Sequence, residues 1–183
     1  MHSEKAKMLA GEPYDPADAE LRSDRERAHA LCRKLSTADG DAERADIVRE
    51  LLGPHAQFAV TPPFFCDYGY NIHAAAGSYC NTNCVLLDTC SISIGPNTLL
   101  GPGVHIYTVS HPMDAQIRRS GTETGKPVIL EEDVWIGGAS VICPGVTIGA
   151  RTVVGAGSVV TRSLPPDVFA AGNPCRVIRP LNR

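Results

Sequence analysis

No stretch of this chain approaches the roughly 20 consecutive apolar residues needed to span a bilayer. Residues 1–10 are mixed charged and polar and hold no signal-peptide core, so the chain is expected in the cytoplasm. Basic charge is not in excess either: 17 Lys and Arg stand against 20 Asp and Glu among 183 residues, a net charge of −3. That balance gives no general attraction to nucleic acid or to an anionic membrane, and small-molecule partners fit better. Seven cysteines are present (Cys32, Cys66, Cys80, Cys84, Cys90, Cys143 and Cys175). The short-spaced trio Cys80, Cys84 and Cys90 lacks a second close pair or a flanking His cluster, so no metal site is expected. All seven are expected as buried thiols in a reducing compartment. The length suits one full-sized domain, or one with a smaller appendage, that folds without disulfides.

The charge that is present lies unevenly. Residues 134–183 carry 5 basic side chains and 1 acidic one, whereas residues 61–133 carry 3 and 7. A basic end of this kind is either an ordinary solvated surface or a landing place for a polyphosphate.

Helical spacing of three and four and strand alternation of two are both missing from the second half, where the period is six. Large aliphatics occupy six successive slots at Leu130, Ile136, Ile142, Ile148, Val154 and Val160, and Ile94, Leu100 and Ile106 keep the same phase. A small or β-branched residue follows four positions after a slot, at Thr98, Val104, Val134, Ser140, Val146, Thr152 and Ser158. This pattern suits a coil in which each hexad gives a short extended stretch and a corner, with one aliphatic pointing inward. Three hexads close a triangular turn, and the turns stack as parallel strands about 4.8 Å apart. The expected fold is mainly β, a parallel β-helix over residues 56–183.

Between Ile106 and Leu130 the slots hold Pro112, Arg118 and Thr124, none of which belongs in an apolar column. Residues 108–126 are therefore expected to leave the prism as an excursion loop and rejoin it in phase at Pro127 or Val128. His111, between Ser110 and Pro112, is the only histidine of that loop. His2, His29 and His55 fall in the polar N-terminal part, His73 reads as preceding the first coils, and His105 lies in a coil face.

Residues 1–55 read as an α-helical segment. Leu21, Ala28, Leu31, Cys32 and Leu35 recur at helical spacing among Arg and Glu residues. A second helix is expected over residues 41–52, ended by Gly53 and Pro54, and a turn-rich link over residues 11–16 precedes the longer one. Such helices suit the open end of a solenoid, whose terminal backbone groups otherwise form an unpaired edge.

Several motifs are more specific than hexads: Met8-Leu9-Ala10-Gly11 with Tyr14-Asp15, Pro62-Pro63-Phe64, Tyr68-Gly69-Tyr70-Asn71-Ile72-His73, Asn81-Thr82-Asn83-Cys84, Ser110-His111-Pro112, Val134-Trp135-Ile136-Gly137-Gly138 and Ala171-Gly172-Asn173-Pro174-Cys175-Arg176-Val177-Ile178. Over nearly the whole chain these resemble the hexapeptide-repeat O-acetyltransferases of the maltose, galactoside and nodulation-factor type. The resemblance implies a left-handed β-helix, a homotrimer with its active sites between neighbouring subunits, acetyl-CoA as co-substrate and a sugar hydroxyl as acceptor. The N-terminal helical segment is then the acceptor-side cap. His111 matches the family's general base, a role the chemistry needs because an alcohol is scarcely ionised at neutral pH. Attack on the thioester is direct, so no cysteine need carry the acyl group.

Asn81 matches a family asparagine beside the base, and the Gly138 backbone N–H matches a donor to the tetrahedral oxyanion. Asp67, Tyr79 and Glu123 fall where side chains contact the acceptor. Asp15 either reaches the sugar or is a turn aspartate. Alternation turns Trp135 outward between Val134 and Ile136, either as a subunit contact or as the cleft wall beside the pantetheine. Gly138, Ala156, Thr161 and Arg162 match positions lining the CoA tunnel. Arg176 and Arg179 match positions near its phosphates, which suits the basic end of the chain. Gly155-Ala156-Gly157 belongs to the hexad register and opens no helix, so it is not a nucleotide loop.

Other classes remain to be weighed. A zinc enzyme on the same prism, of the γ-carbonic anhydrase type, needs three converging histidines; His105 and His111 supply two, and no third follows Val128. A non-catalytic β-helix that binds another protein would show neither CoA affinity nor dependence on His111. Among transferases the acceptor is alternatively an amine or serine, and the choice among maltose, glucose, galactosides and oligosaccharides rests on a few cleft side chains.

Overall fold

A computed structural model describes residues 2–181. Three helices come first: α1 (Glu4–Ala10), α2 (Ala19–Ser36) and α3 (Gly40–Leu52). Ser3 and Asp18 cap α1 and α2 by accepting from first-turn N–H groups. The expected apolar stripe of α2 is buried, as are Ile47, Val48, Leu51 and Leu52 of α3. All of these side chains but Leu21, which packs with Met8, Tyr14 and Tyr68, join Phe58 and Phe64 of the first coil in one core.

From Phe58 onward the chain winds as a three-sided parallel β-solenoid. Face I stacks Phe58–Val60, Ser78–Cys80, Leu99–Leu100, Trp135–Ile136, Val153–Val154 and Val168–Gly172, closed by the antiparallel strand Cys175–Pro180. Face II stacks Phe64–Cys66, Cys84–Leu87, His105–Tyr107, Val141–Ile142 and Val159–Val160. Face III stacks Ile72–Ala74, Ile92–Ile94, Val128–Leu130 and Thr147–Ile148. All nine expected aliphatic slots are buried, and so are the seven small or β-branched positions that follow them. Each buried aliphatic side chain contributes about 1.5–3 kcal/mol relative to exposure, enough for a continuous column to hold the coils without cross-links. The buried hydroxyls are satisfied from the next coil: Thr98 donates to Glu131 O at 2.8 Å and Thr152 to Pro165 O at 2.7 Å.

The coils differ in length. Register partners on face I are 20 residues apart from Val60 to Cys80 to Leu100, but 18 apart from Ile136 to Val154. The longer coils carry their extra residues between faces II and III, around residues 67–71 and 88–91, where Cys66 and Ala74 are separated by more than one hexad. This slip hides the hexad upstream of Ile94. Coils therefore begin at Phe58, and His73, read as preceding them, is an outward residue of the first face III strand.

The same corner emits the excursion. Thr108 stays inside the prism, donating to Leu87 O at 2.8 Å and accepting from Cys90 N–H at 2.9 Å, so departure begins at Val109 and not at Thr108. The excursion is a flap with an antiparallel stem, Val109–Ser110 against Thr124–Gly125, and a tip helix α4 (Ala115–Arg118) that buries nothing. It rejoins at Val128, which pairs with Ile92. All seven cysteines are free; six are buried, while Cys143 is only half-buried. Among the described residues no helix is long and apolar enough to cross a membrane.

Candidate active site

The site residues expected from sequence fall on two corners of the prism. At the first corner, between faces I and II, Asn81, Gly138 and Ala156 come after the second, fourth and fifth face I strands. The coils pinch together here. A Cβ on Gly101 would lie 2.6 Å from Gly138 N, and one on Gly138 would lie 3.0 Å from Pro102 O, so backbone stacks directly on backbone. The Gly138 N–H has no acceptor among the described residues. Asn81 Oδ1 accepts from Thr82 N–H at 2.8 Å, which leaves its amide N–H groups for a ligand.

Along the adjoining face I, Tyr79, Leu99, Trp135, Val153 and Phe169 share one outward register. Trp135 is 54% exposed and Leu99 44%, an apolar stripe open to solvent. Tyr79 OH hydrogen-bonds Thr61 Oγ1 at 2.9 Å. The stripe runs to the C-terminal strand, where the Arg179 guanidinium lies 5.8 Å from the Phe169 ring centroid and both Arg176 and Arg179 are exposed.

The second corner, between faces II and III, holds Asp67 after the first face II strand, the flap with His111 and Glu123, and Thr161 and Arg162 after the last. Pairing of Ser110 with Thr124 sets His111 one residue beyond the stem, exposed. The cap reaches this corner too: Tyr14 and Glu123 exchange backbone hydrogen bonds of 3.0 and 3.1 Å, and Tyr14 OH donates to the Glu123 carboxylate. Burial pushes the Asp67 carboxyl up to about 6, with Arg25 pulling it down and Glu123 pushing it further up. Asp15 is an exposed turn aspartate whose Oδ1 accepts from Ala17 N–H at 2.8 Å.

Two residues at this corner escaped the sequence argument. Arg25 of α2 donates to Tyr68 OH and to Pro16 O, each at 2.6 Å, tying cap to prism. Asp88 is fully buried and accepts four backbone N–H groups, from Asp67 (3.1 Å), Tyr68 (2.9 Å), Gly69 (2.8 Å) and Asn71 (3.3 Å). It therefore shapes the widened turn that carries Asp67. Burial pushes Asp88 up to about 7, aided by the Asp67 charge and opposed by the backbone N–H groups. A signal existed, since counting back six from Ile94 lands on Asp88, a charge where the column wants an aliphatic.

The maltose acetyltransferase hexapeptide capping motif matches residues 7–56, and the six-repeat bacterial transferase hexapeptide matches residues 127–162. Nodulation protein L of Rhizobium meliloti is 48% identical over 178 residues, 96% of this chain and 97% of that protein. The chain belongs to the maltose acetyltransferase family. The crystal structure of a maltose O-acetyltransferase from Clostridium difficile matches with a TM-score of 0.95 at 46% identity, covering 100% of this chain and 99% of that one. A hexapeptide-repeat acetyltransferase from Vibrio cholerae, complexed with acetyl coenzyme A, matches with a TM-score of 0.89 at 40% identity, covering 100% of both chains.

In this acetyltransferase the two corners lie on opposite edges of face II. Slots on either side of a corner are six residues apart, so at about 3.3 Å per residue one face separates its two corners by roughly 15–20 Å. A base and an oxyanion donor must both come within about 3 Å of the reacting atoms. The residues expected from sequence thus divide between two edges: Asp67, His111, Glu123, Thr161 and Arg162 on one, Asn81, Gly138 and Ala156 on the other. Tyr79, Trp135, Arg176 and Arg179 flank the latter. His105, on face II between them, hydrogen-bonds Tyr107 OH through Nδ1 at 2.6 Å. Among the described residues no three His, Cys, Asp or Glu side chains converge as a metal-binding group.

Proposed function

We propose that this enzyme transfers the acetyl group of acetyl-CoA to a sugar hydroxyl, in clefts where the second corner of one copy meets the first corner of the next in a homotrimer. The observation that carries the proposal is the division of the site between the two edges of face II, since only a second copy brings base and oxyanion donor together. His111 of one copy takes the hydroxyl proton as the oxygen attacks the thioester carbon, a step contributing on the order of 10²- to 10⁴-fold. The neighbour's Gly138 N–H receives the developing oxyanion, and its Asn81 amide donates beside the base. The tetrahedral centre collapses, expelling the CoA thiolate, which recovers the proton from His111.

Asp67 and Glu123 accept from the acceptor's other hydroxyls, and Asp15 and Tyr79 border the same space. The cap, residues 1–55, forms the acceptor-side wall of the β-helix, residues 56–183. Acetyl-CoA lies along the apolar stripe of face I, with Trp135 beside its pantetheine and Ala156 and the partner edge's Thr161 and Arg162 around the tunnel. Arg176 and Arg179 meet its phosphates. Support for the two substrates comes from the maltose O-acetyltransferase and the acetyl-CoA complex that the chain is similar to. Free thiols at all seven cysteines suit a cytoplasmic setting.

The test is CoA release over a panel of sugars, amines and serine, with His111→Ala alongside. Turnover is expected on at least one sugar, with kcat falling about 10²-fold or more in the variant. Equal rates in the two proteins remove His111 from the mechanism, and turnover confined to amines or serine overturns the sugar acceptor.

A further inference from the structure

Acyl transfer leaves the buried cysteines unused, and two of them face each other across a junction of elements. Cys32 of α2 and Cys66 of the first face II strand bring their sulfurs to 3.8 Å across the junction between cap and prism. An open-mouthed cavity of about 380 Å³ lies beside the pair, lined by Cys32, His29, Arg33, Phe65 and Cys84 among others. His29 sits one helical turn before Cys32 on the same side of α2. Its ring packs on Phe65 with centroids 4.7 Å apart, and its Nε2 is buried without a partner among the described residues. The hydrogen bond with Cys66 and the nearby Arg33 charge pull the Cys32 thiol below its ordinary value, against burial. The Cys32 contact and burial push Cys66 well above it. The two thiols therefore differ in access: Cys32 lines the opening, whereas Cys66 is fully buried.

We propose that Cys32 and Cys66 form a peroxide-responsive thiol pair, which closes to a disulfide between the cap and the first coil. In the first step the Cys32 thiolate attacks hydrogen peroxide, the O–O bond breaks, and Cys32 becomes a sulfenic acid as hydroxide leaves and is protonated to water. In the second, the Cys66 sulfur attacks the Cys32 sulfur, an S–S bond forms and the sulfenic oxygen departs as a second water. Two thiols lose two protons and two electrons, and one peroxide becomes two waters. The sulfurs must close from 3.8 Å to about 2.05 Å, within reach of side-chain rotation and a small slide of α2. Cys84 lines the same cavity, but its thiol is engaged with Gly101 O at 3.3 Å. The link would constrain the chain between two residues 34 apart, so closure should raise Tm.

This chemistry does not depend on the acyl-transfer reading, and its test is a mass measurement. The purified oligomer is treated with graded hydrogen peroxide, alkylated under denaturing conditions and mapped as peptides without reduction. The expected product is a Cys32–Cys66 linked peptide lighter by two hydrogens, reversed by dithiothreitol, accompanied by a higher Tm. Cys84→Ser should still form the link and Cys32→Ser should not. Peroxide-treated wild-type protein in which both thiols alkylate fully, or in which Cys84 is oxidised first, overturns the proposal whatever the variants do.

Discussion

The coils after the flap advance 18 residues per turn and then 16, whereas those before it advance 20, and the added residues of the longer coils fall at one corner. That corner also emits the flap. The two ends of the solenoid therefore solve different problems with the same coil. The later coils are uninterrupted scaffold, their column filled by Ile, Leu and Val and their corners pinched until backbone meets backbone. The earlier coils give up the regular period to make room for a buried carboxylate and a widened turn, and the flap from the same corner bridges to the cap at Tyr14. On the proposed reading, the difference gives two ways of building a half-site. At the first corner it is made of bare backbone and short side chains on an unbroken repeat, and at the second it is made by breaking the repeat.

Disabling the broken-repeat corner chemically is expected to give the largest effect, the loss of turnover in His111→Ala described above, with Tm unchanged because the ring is exposed. Disabling it structurally comes next. Asp88→Ala leaves four backbone N–H groups without their acceptor, at about 1–3 kcal/mol for each buried group that water cannot reach. Urea unfolding should show a loss of at least about 3 kcal/mol, and acceptor KM should rise while acetyl-CoA KM stays put.

The regular coils should answer differently. Ile142→Ala empties one slot of the column and should cost about 2–5 kcal/mol of stability, with little change in kcat of the protein that remains folded. A variant that loses turnover out of proportion to its stability would contradict the division between scaffold and site.

The smallest effect concerns pH. The Asp67 carboxyl is raised to about 6 from an ordinary 3.8, so the folded state resists its ionisation. Its stabilising contribution is complete below the ordinary value and is lost as pH rises through about 6. Tm of the wild type should therefore fall across that window, and Asp67→Asn should flatten this part of the profile. A wild-type Tm that rises over the same range would contradict the burial of Asp67.

Much of the fold was legible because an inward aliphatic every six residues has no other economical explanation. Leu130 through Val160 could be counted, and α2 showed its stripe from Leu21 to Leu35. The slots Val60, Cys66, Cys80 and Leu86 were missed because the 20-residue coils shift their phase and two of them are filled by cysteine. Arg25 was missed because its partners, a tyrosine hydroxyl and a backbone carbonyl, leave no spacing to detect, and Asp88 because the charge it sets in the hexad count went unread. The motifs pointed to the residues of the site one by one, but not to their distribution over two edges. That distribution is a property of the triangular cross-section and appears only when the coils are closed.

The central claim is that one working site takes an edge from each of two copies, and subunit mixing tests it most directly. His111→Ala and Asn81→Ala chains, each expected to be nearly inactive alone, are co-expressed with different tags and the mixed oligomers isolated. If each cleft draws its two edges from different chains, every mixed trimer keeps one of its three clefts intact, and the isolated mixture should regain about a third of the wild-type rate. A mixed oligomer no more active than either parent would place both residues in a single chain's site and contradict the account.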